Sequence, residues 1–258
     1  MRAAFSVGVI LFAASLGCGQ DLYVGSDVVW AALHEDGTFD EWTAMMGGGF
    51  NAMPPSPANS IMVSSERPHH GMFSAKLSIA TTADMVPATT SLARRTGLPP
   101  EAYFSAWYYL PQSVNVGVYW VIMKFRTRQI ADDPTTAGEL YDLNLKTLPN
   151  GTMSLRLYDH RMGIGDVPQK VDPVVPVGKW FQIEVYYNNA QDAMGHLTLW
   201  LDGNQVLDVN GKAMGPSPWV GWEASSIGVN LTPNAAVLFV DDAAVSLTRV
   251  GPNGVIAR

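Results

Sequence analysis

The sequence predicts an all-β protein built as a two-sheet antiparallel β-sandwich. Short runs of β-branched and aromatic residues recur between clusters of Gly, Pro, Asn and Asp, and little of the chain repeats apolar residues at helical spacing. The chain contains 24 Gly and 17 Pro, while charged residues make up only 15%. This composition is typical of a globular, turn-rich chain rather than a helical bundle. About nine strands without a long helix indicate two packed sheets.

Two turns predict hairpins within this series of strands. Asn150-Gly151 supplies the positive-φ turn after the strand that ends at Thr147, and Asp202-Gly203 turns the chain back into residues 205–209. We predict the other strands from the same apolar and β-branched runs. The nine main predicted strands are 74–79, 103–110, 119–127, 141–147, 153–158, 180–187, 196–202, 226–230 and 237–247.

The start of the chain resembles the signal peptide of a bacterial lipoprotein. Arg2 supplies a positive charge, residues 3–14 are apolar but too short to span a bilayer, and small residues lead to Cys18. The resemblance implies that Cys18 is lipidated and becomes the mature N-terminus. The alternative is an ordinary signal peptide cleaved nearby, with Cys18 discarded.

These features predict the organisation and location of the chain. Residues 1–18 are predicted to be a signal peptide ending in the lipidated Cys, residues 19–38 a short linker and lead-in, residues 39–250 the sandwich, and residues 251–258 a tail. We expect an exported protein that is lipid-anchored to the bacterial envelope, or secreted if it is not lipidated. The resemblance favours the outer membrane of a Gram-negative source, because Gly19 rather than Asp follows Cys18.

Charge and cysteine content limit the partners and the source of stability. The formal net charge of −7 argues against nucleic acid as a partner, since phosphate binding needs a basic surface. Cys18 is the only cysteine, so the domain is not held by disulfides and its core must stabilise it.

Four segments resemble the concanavalin A-like lectin and glucanase superfamily, including its LamG-like and polysaccharide-lyase-like jelly rolls. They are HGMFSAKL (70–77), GKWFQIEVYY (178–187), GHLTLWLDG (195–203) and LFVDDAAVS (238–246). The resemblance covers about residues 40–250 and implies a jelly-roll sandwich. It leaves the function open, because lectins, hydrolases, lyases and modules without a ligand share this fold.

Strand alternation predicts a cationic, aromatic-bearing face. In residues 119–128, Lys124 and Arg126 share one face with Trp120 and Ile122, because successive side chains point to opposite sides. Tyr119, Val121, Met123 and Phe125 are then expected on the other face. If the neighbouring strands share one sheet, the outward set is Trp107, Tyr109, Lys124, Arg126, Asn144, Lys146, Arg156, Tyr158 and His160.

This face suits an anionic polysaccharide, because aromatic rings pack on sugar rings and Arg binds carboxylates. The leading hypothesis is a non-catalytic carbohydrate-binding lipoprotein. The alternative is a polysaccharide lyase that cleaves a polyuronate by β-elimination, with Tyr158, His160 and Arg156 as catalytic residues. A third hypothesis is a structural surface module without ligand. A glycoside hydrolase is disfavoured, since no E-x-D-x-x-E or E-x-D-x-E pattern supplies paired carboxylates.

No cofactor is expected to be required, although a structural Ca²⁺ is a hypothesis. Asp40, Glu41, Asp241 and Asp242 resemble the calcium site that ties the chain ends together in related jelly rolls. The alternative is a pair of surface aspartates at a strand edge. His69 and His70 are adjacent and would point apart on a strand, so we interpret them as loop residues ahead of Gly71 rather than as metal ligands.

Overall fold

The computed structural model describes residues 27–46, 59–128, 137–160, 165–169 and 171–254. The predicted signal peptide, the predicted lipidation site Cys18 and the start of the predicted linker lie outside these residues. No helix within the described ranges is long and apolar enough to cross a bilayer.

The described residues form fifteen strands. In chain order they are β1 (Val28–Ala32), β2 (Ala44–Met46), β3 (Ser60–Ser64), β4 (Ser74–Ala80), β5 (Ala88–Arg94), β6 (Glu101–Tyr109), β7 (Asn115–Arg128), β8 (Ala137–Thr147), β9 (Met153–Asp159), β10 (Gly165–Asp166), β11 (Trp180–Asn188), β12 (His196–Leu201), β13 (Asn204–Asn210), β14 (Gly221–Thr232) and β15 (Ala235–Ser246).

The strands form two antiparallel sheets, which confirms the predicted all-β sandwich. Sheet A has the order β13-β12-β11-β6-β15-β4-β3, with β1 paired to the end of β15. Sheet B has the order β10-β9-β8-β7-β14-β5-β2. Since β6 and β7 are consecutive but lie in different sheets, the chain crosses between the layers at residues 110–114.

All nine main predicted strands and the β13 return are present, but five further strands were not predicted. β5 was missed because its ATTSLAR sequence is buried almost throughout, so it shows no alternation of apolar and polar residues. β1 lies within the predicted linker at 19–38 and pairs with β15. The sandwich therefore begins upstream of residue 39.

Aromatic side chains from both sheets meet in the core. Phe104 of sheet A lies 5.1 Å from Phe125 and 5.7 Å from Trp222 of sheet B, measured between ring centroids. Tyr187 of sheet A lies 4.7 Å from Phe125. Burial of each such ring stabilises the fold by about 1.5–3 kcal/mol. This packing holds the two layers in register without a disulfide.

The segment that follows β15 covers part of the outer face of sheet A. Glu184, in the middle of β11, is fully buried although its side chain points away from the core. Its carboxylate accepts hydrogen bonds from Arg249 Nε (2.9 Å), Val250 N (2.7 Å) and Gly251 N (3.1 Å). Gly251, the first residue of the predicted tail, is therefore part of the folded domain.

Replacing Tyr108 by Phe should leave the free energy of unfolding unchanged or raise it by about 1 kcal/mol. The Tyr108 hydroxyl is fully buried, has no hydrogen-bond partner among the described residues, and its pKa is raised by that burial. Tyr187→Phe is the matched control and should cost about 1 kcal/mol, because the Tyr187 hydroxyl donates to Asn189 Oδ1 at 3.0 Å. Urea denaturation measures both. Equal losses in the two variants would contradict the prediction.

Candidate functional site

A groove of about 580 Å³ lies on the outer face of sheet B. Its volume falls within the range of about 300–1,000 Å³ typical of small-molecule sites. Strands β5, β7, β8, β9, β10 and β14 supply its walls together with Pro87 before β5 and His160 after β9. The lining residues are Pro87, Thr89, Val118, Tyr119, Val121, Lys124, Arg126, Asp142, Asn144, Lys146, Tyr158, His160, Asp166 and Ile227.

A β-bulge in β7 determines which of its side chains enter the groove. Val121 pairs with Asn144 and Met123 with Leu143, so Ile122 is the extra residue of β7. Before the bulge, Tyr119 and Val121 line the groove; after it, Lys124 and Arg126 do. The bulge therefore reverses the inside–outside alternation along the strand.

The predicted alternation of β7 is wrong before the bulge and correct after it. Trp120 and Ile122, which were expected to face outward, are fully buried in the core. The Trp120 indole N–H donates to Ser226 Oγ at 2.9 Å. Tyr119 and Val121, which were expected on the core side, line the groove instead. A bulge leaves no clear mark in the residue pattern, so alternation alone missed these two residues.

The two sides of the groove differ in polarity. Pro87, Val118, Tyr119, Val121 and Ile227 give one side an apolar surface. The other side is polar and comes from β8, β9 and β10, with the lining residues Asp142, Asn144, Lys146, Tyr158, His160 and Asp166. Such a groove can pack one face of a ligand while it forms hydrogen bonds and ion pairs with the other.

Asp142 connects two of the polar groups of the groove. Its Oδ2 lies 2.9 Å from His160 Nε2, and its Oδ1 lies 3.9 Å from Lys124 Nζ. Lys124 and Asp142 are both buried, whereas the His160 ring is partly exposed. Tyr158 lies beside His160, with ring centroids 4.8 Å apart. The Asp142 carboxylate thus fixes the orientation of the imidazole next to a phenol.

Glu223 holds Arg126 from below the groove. This buried carboxylate contacts Arg126 Nε at 2.6 Å and accepts a hydrogen bond from Arg95 Nη2 at 2.9 Å. The Ser91 hydroxyl donates a hydrogen bond to the same carboxylate at 3.1 Å. Because the Glu223 carboxylate is fully buried, it neutralises the two guanidinium groups without facing the groove itself.

Each predicted cation of this face has a carboxylate partner. Lys146 forms an ion pair with Asp166, and Arg156 forms one with Asp172 and donates to Gln169 Oε1 at 2.8 Å. The cations of the predicted face are therefore members of ion pairs.

Lys146 should titrate below the usual range of a lysine. Burial lowers the pKa of its ammonium, and the charge of nearby Arg156 lowers it further. The ammonium should therefore lose its proton at a lower pH than a free lysine does. A ¹³C NMR titration of the lysine Cε signals measures this, with Lys146→Met used to assign the signal. A Lys146 signal that titrates at or above the value of a free lysine would contradict the prediction.

The structure brings six of the nine predicted face residues together in the groove: Lys124, Arg126, Asn144, Lys146, Tyr158 and His160. Arg156 shares their sheet, but its guanidinium contacts Gln169 and Asp172. The assumption that β6 belongs to this sheet is wrong, since β6 pairs with β11 and β15. Trp107 and Tyr109 therefore lie on sheet A. Asp142 and Asp166 line the groove and were not among the predicted site residues.

The four predicted calcium ligands do not form one cluster among the described residues. The ligand atoms that lie within 4.8 Å of one another belong to Asp242, His69 and His70. Both Asp241 oxygens accept backbone N–H groups, at 2.8 and 2.9 Å. Calcium prefers six to eight oxygen ligands, so two imidazoles and one carboxylate do not fit it. His69 and His70 lie in a loop ahead of Gly71, as predicted, and both rings meet Asp242.

Comparison with known proteins identifies solved structures of similar fold. No model of a known protein family matches the chain, and no curated protein does. The endo-β-1,4-glucuronan lyase of the fungus Trichoderma reesei is similar at a TM-score of 0.65 and 13% identity, covering 86% of this chain and 97% of that chain. The chain has the jelly-roll fold.

Two further structures support the same fold. The cellulose-induced protein Cip1 matches at a TM-score of 0.60 and 13% identity, covering 86% of this chain and 98% of its own. The marine PL-14 alginate lyase of Aplysia kurodai matches at a TM-score of 0.55 and 12% identity, covering 86% and 99%. In the present chain, the groove lies on sheet B of the jelly roll.

Proposed function

We propose that the groove of sheet B binds an anionic polysaccharide, specifically a chain that contains uronate residues. The observation that carries this proposal is the combination, in one groove, of an apolar side with Lys124, Arg126 and Lys146. Similarity in fold to a glucuronan lyase and an alginate lyase supports the same ligand class.

The apolar side and the polar side of the groove both suit a sugar chain. A pyranose ring has an apolar face that can pack against Tyr119 and Val121, as carbohydrate rings do on aromatic surfaces. Its hydroxyl groups can bond with Asn144, Tyr158 and His160 on the polar side. This arrangement would orient successive sugar units along the groove.

The ion pairs of the groove are compatible with an anionic ligand. Lys146 and Asp166 are each more than one third exposed, so a ligand carboxylate can replace Asp166 at little cost. Arg126 can keep its contact with Glu223 and still offer other guanidinium N–H groups, since Arg has five donors. A ligand carboxylate would therefore bind to cationic side chains that neighbouring carboxylates already hold in place.

A binding panel tests the proposal. Isothermal titration calorimetry would compare alginate, glucuronan and pectate with uncharged cellulose and mannan oligosaccharides. We expect a uronate chain to bind and the uncharged chains to bind much more weakly, with affinity falling as salt screens the charges. Lys124→Met should lower the affinity for the uronate chain about 10- to 100-fold, because it removes an ionic hydrogen-bond donor.

The control for this variant is Lys76→Met on sheet A. Lys76 pairs with the exposed Glu66 and lies in β4, in the sheet opposite the groove, so its loss should leave binding unchanged. Equal effects of the two variants, or the absence of uronate binding across the panel, would refute the proposal.

The contact between Asp142, His160 and Tyr158 favours polyuronate lyase chemistry as a second candidate. In β-elimination the proton beside the carboxylate leaves, a C4–C5 double bond forms, the glycosidic C4–O bond breaks, and the leaving oxygen takes up a proton. Tyr158 and His160 can accept and donate these protons, and Asp142 orients the imidazole. Asn144 and Arg126 can neutralise the carboxylate, a role for which Arg156 is less suited because it contacts Asp172.

Ultraviolet absorbance of the unsaturated product separates the two candidates. A lyase would raise the absorbance with one uronate chain, and Tyr158→Phe would lower turnover by about 10²–10⁴-fold while affinity is kept. Binding in the calorimeter with a flat absorbance trace would exclude the lyase for that substrate and leave the non-catalytic binding site.

A further inference from the structure

A second cluster of polar side chains lies on sheet A, in the sheet opposite the groove. Asp242 Oδ2 lies 2.6 Å from His69 Nδ1 and 2.5 Å from His70 Nδ1. Two imidazole nitrogens thus converge on one oxygen of one carboxylate. Histidine nitrogen and carboxylate oxygen together are the ligand types of divalent transition metals such as Zn²⁺.

The backbone of β15 brings Asp241 and Asp242 to this place. The pairing of β15 with β6 is irregular between Asp241 and Ala244, and Asp242 has a positive φ of 45°. Asp241 Oδ2 accepts the backbone N–H of His69 at 2.8 Å, and its Oδ1 accepts that of Asp242 at 2.9 Å. Asp241 therefore joins the histidine loop to the strand, and Asp242 is left to face both rings.

The loop that carries the two histidines is fixed from its other end. The Glu35 carboxylate accepts the backbone N–H groups of Met72 and Phe73 at 2.9–3.1 Å. Gly71, at a φ of 65°, permits this approach, because a Cβ at that position would collide with the Glu35 carboxylate. The loop is thus ordered by hydrogen bonds on both sides of His69 and His70.

Packing also fixes one of the two rings. The His69 ring stacks on Trp107, with centroids 3.9 Å apart and an interplanar angle of 21°. The side chains of His69 and Asp242 are only 14% and 6% exposed, whereas that of His70 is 45% exposed. The cluster therefore has two oriented ligands and one side that is accessible to an ion and to water. Such support of the ligands by their neighbours is typical of metal sites.

We propose that His69, His70 and Asp242 bind one divalent transition-metal ion of the zinc class, with water in the remaining position. The predicted Ca²⁺ does not suit this set, because calcium takes oxygen ligands and two of these three donors are nitrogens. The proposal does not depend on the function of the groove, which lies on sheet B.

Titration of the metal-free full-length chain with Co²⁺ and Zn²⁺ tests the site. After dialysis against a chelator, we expect one tight equivalent of Co²⁺ with the visible absorption of a tetrahedral site, and displacement of it by Zn²⁺ but not by excess Ca²⁺. His70→Ala should weaken this binding by at least about tenfold. Because His70 is the most exposed ligand, the variant should remain folded, which circular dichroism would verify.

His196→Ala is the matched control. His196 of β12 also contacts a carboxylate, Asp208 at 2.8 Å, but among the described residues it belongs to no group of three potential metal ligands. Its loss should leave the Co²⁺ spectrum unchanged. No saturable Co²⁺ or Zn²⁺ binding, equal competition by Ca²⁺, or an equal effect of the two histidine variants would overturn the proposal.

Discussion

Glu184→Gln should lower the free energy of unfolding by about 3 kcal/mol. The Glu184 carboxylate is fully buried and accepts three N–H groups from residues 249–251, one of them from the charged Arg249. Gln offers a single acceptor oxygen, so its N–H₂ group must face either Arg249, which donates to Oε2, or the two backbone N–H groups that donate to Oε1. We therefore expect the segment after β15 to detach from sheet A. Its loss would also expose Gln182, whose side-chain amide donates to Gly251 O at 2.9 Å.

Urea denaturation and hydrogen exchange measure this effect. Exchange at Val250 and Gly251 should accelerate in Glu184→Gln before the rest of the domain is affected. Glu66→Gln is the matched control, because Glu66 is exposed and pairs with Lys76 on the surface, where the loss should stay within about 1 kcal/mol. Equal losses in the two variants would show that the buried contacts do not hold the segment.

Glu223→Gln should lower both the stability of the domain and the affinity of the groove. Glu223 of β14 is fully buried on the outer side of sheet B and holds Arg126 and Arg95 together. Without the charge of Glu223, the guanidinium groups of Arg95 and Arg126 repel each other. Loss of the buried carboxylate from these ion pairs should cost about 3 kcal/mol of unfolding free energy. Arg126 should then lose its fixed orientation toward the ligand, with about a tenfold loss in affinity for the uronate chain.

Arg95→Met separates the two effects. Arg95 contacts Glu223 but does not line the groove, so its loss should reduce stability and leave affinity nearly unchanged. Calorimetry with the uronate chain and urea denaturation provide the two measurements. If Glu223→Gln kept full affinity, the role of Glu223 in positioning Arg126 would be wrong.

The sequence was sufficient for the fold because most strands are runs of apolar, β-branched and aromatic residues between turn residues. β8 and β9 alternate apolar and polar residues, and the Asn150-Gly151 turn fixes their register, which the pairing of Thr147 with Met153 confirms. β5 has buried residues on both faces and small polar side chains, so neither periodicity nor composition marks it. Long-range packing rather than local preference determines that strand.

For the candidate site, alternation identified the outward side chains of β8, of β9 and of β7 after its bulge, but not the sheet to which each strand belongs. Lys124, Asn144 and Tyr158 lie in the groove because their strands are neighbours in sheet B. Trp107 shows the same alternation along its strand, yet β6 belongs to sheet A. The sheet to which β6 belongs is decided only by the crossing of the chain to the other layer after β6. His69 and His70 meet because of a loop conformation, which period-two reasoning does not describe.

The extra residue in β7 has a consequence for how the chain tolerates change. Ile122 and Met123 are consecutive and both face the core, so loss of Ile122 would restore regular alternation, with Tyr119, Val121, Lys124 and Arg126 still facing the groove. We therefore expect a variant without Ile122 to lose the bulge and one core side chain while the groove residues and Trp120 keep their present faces.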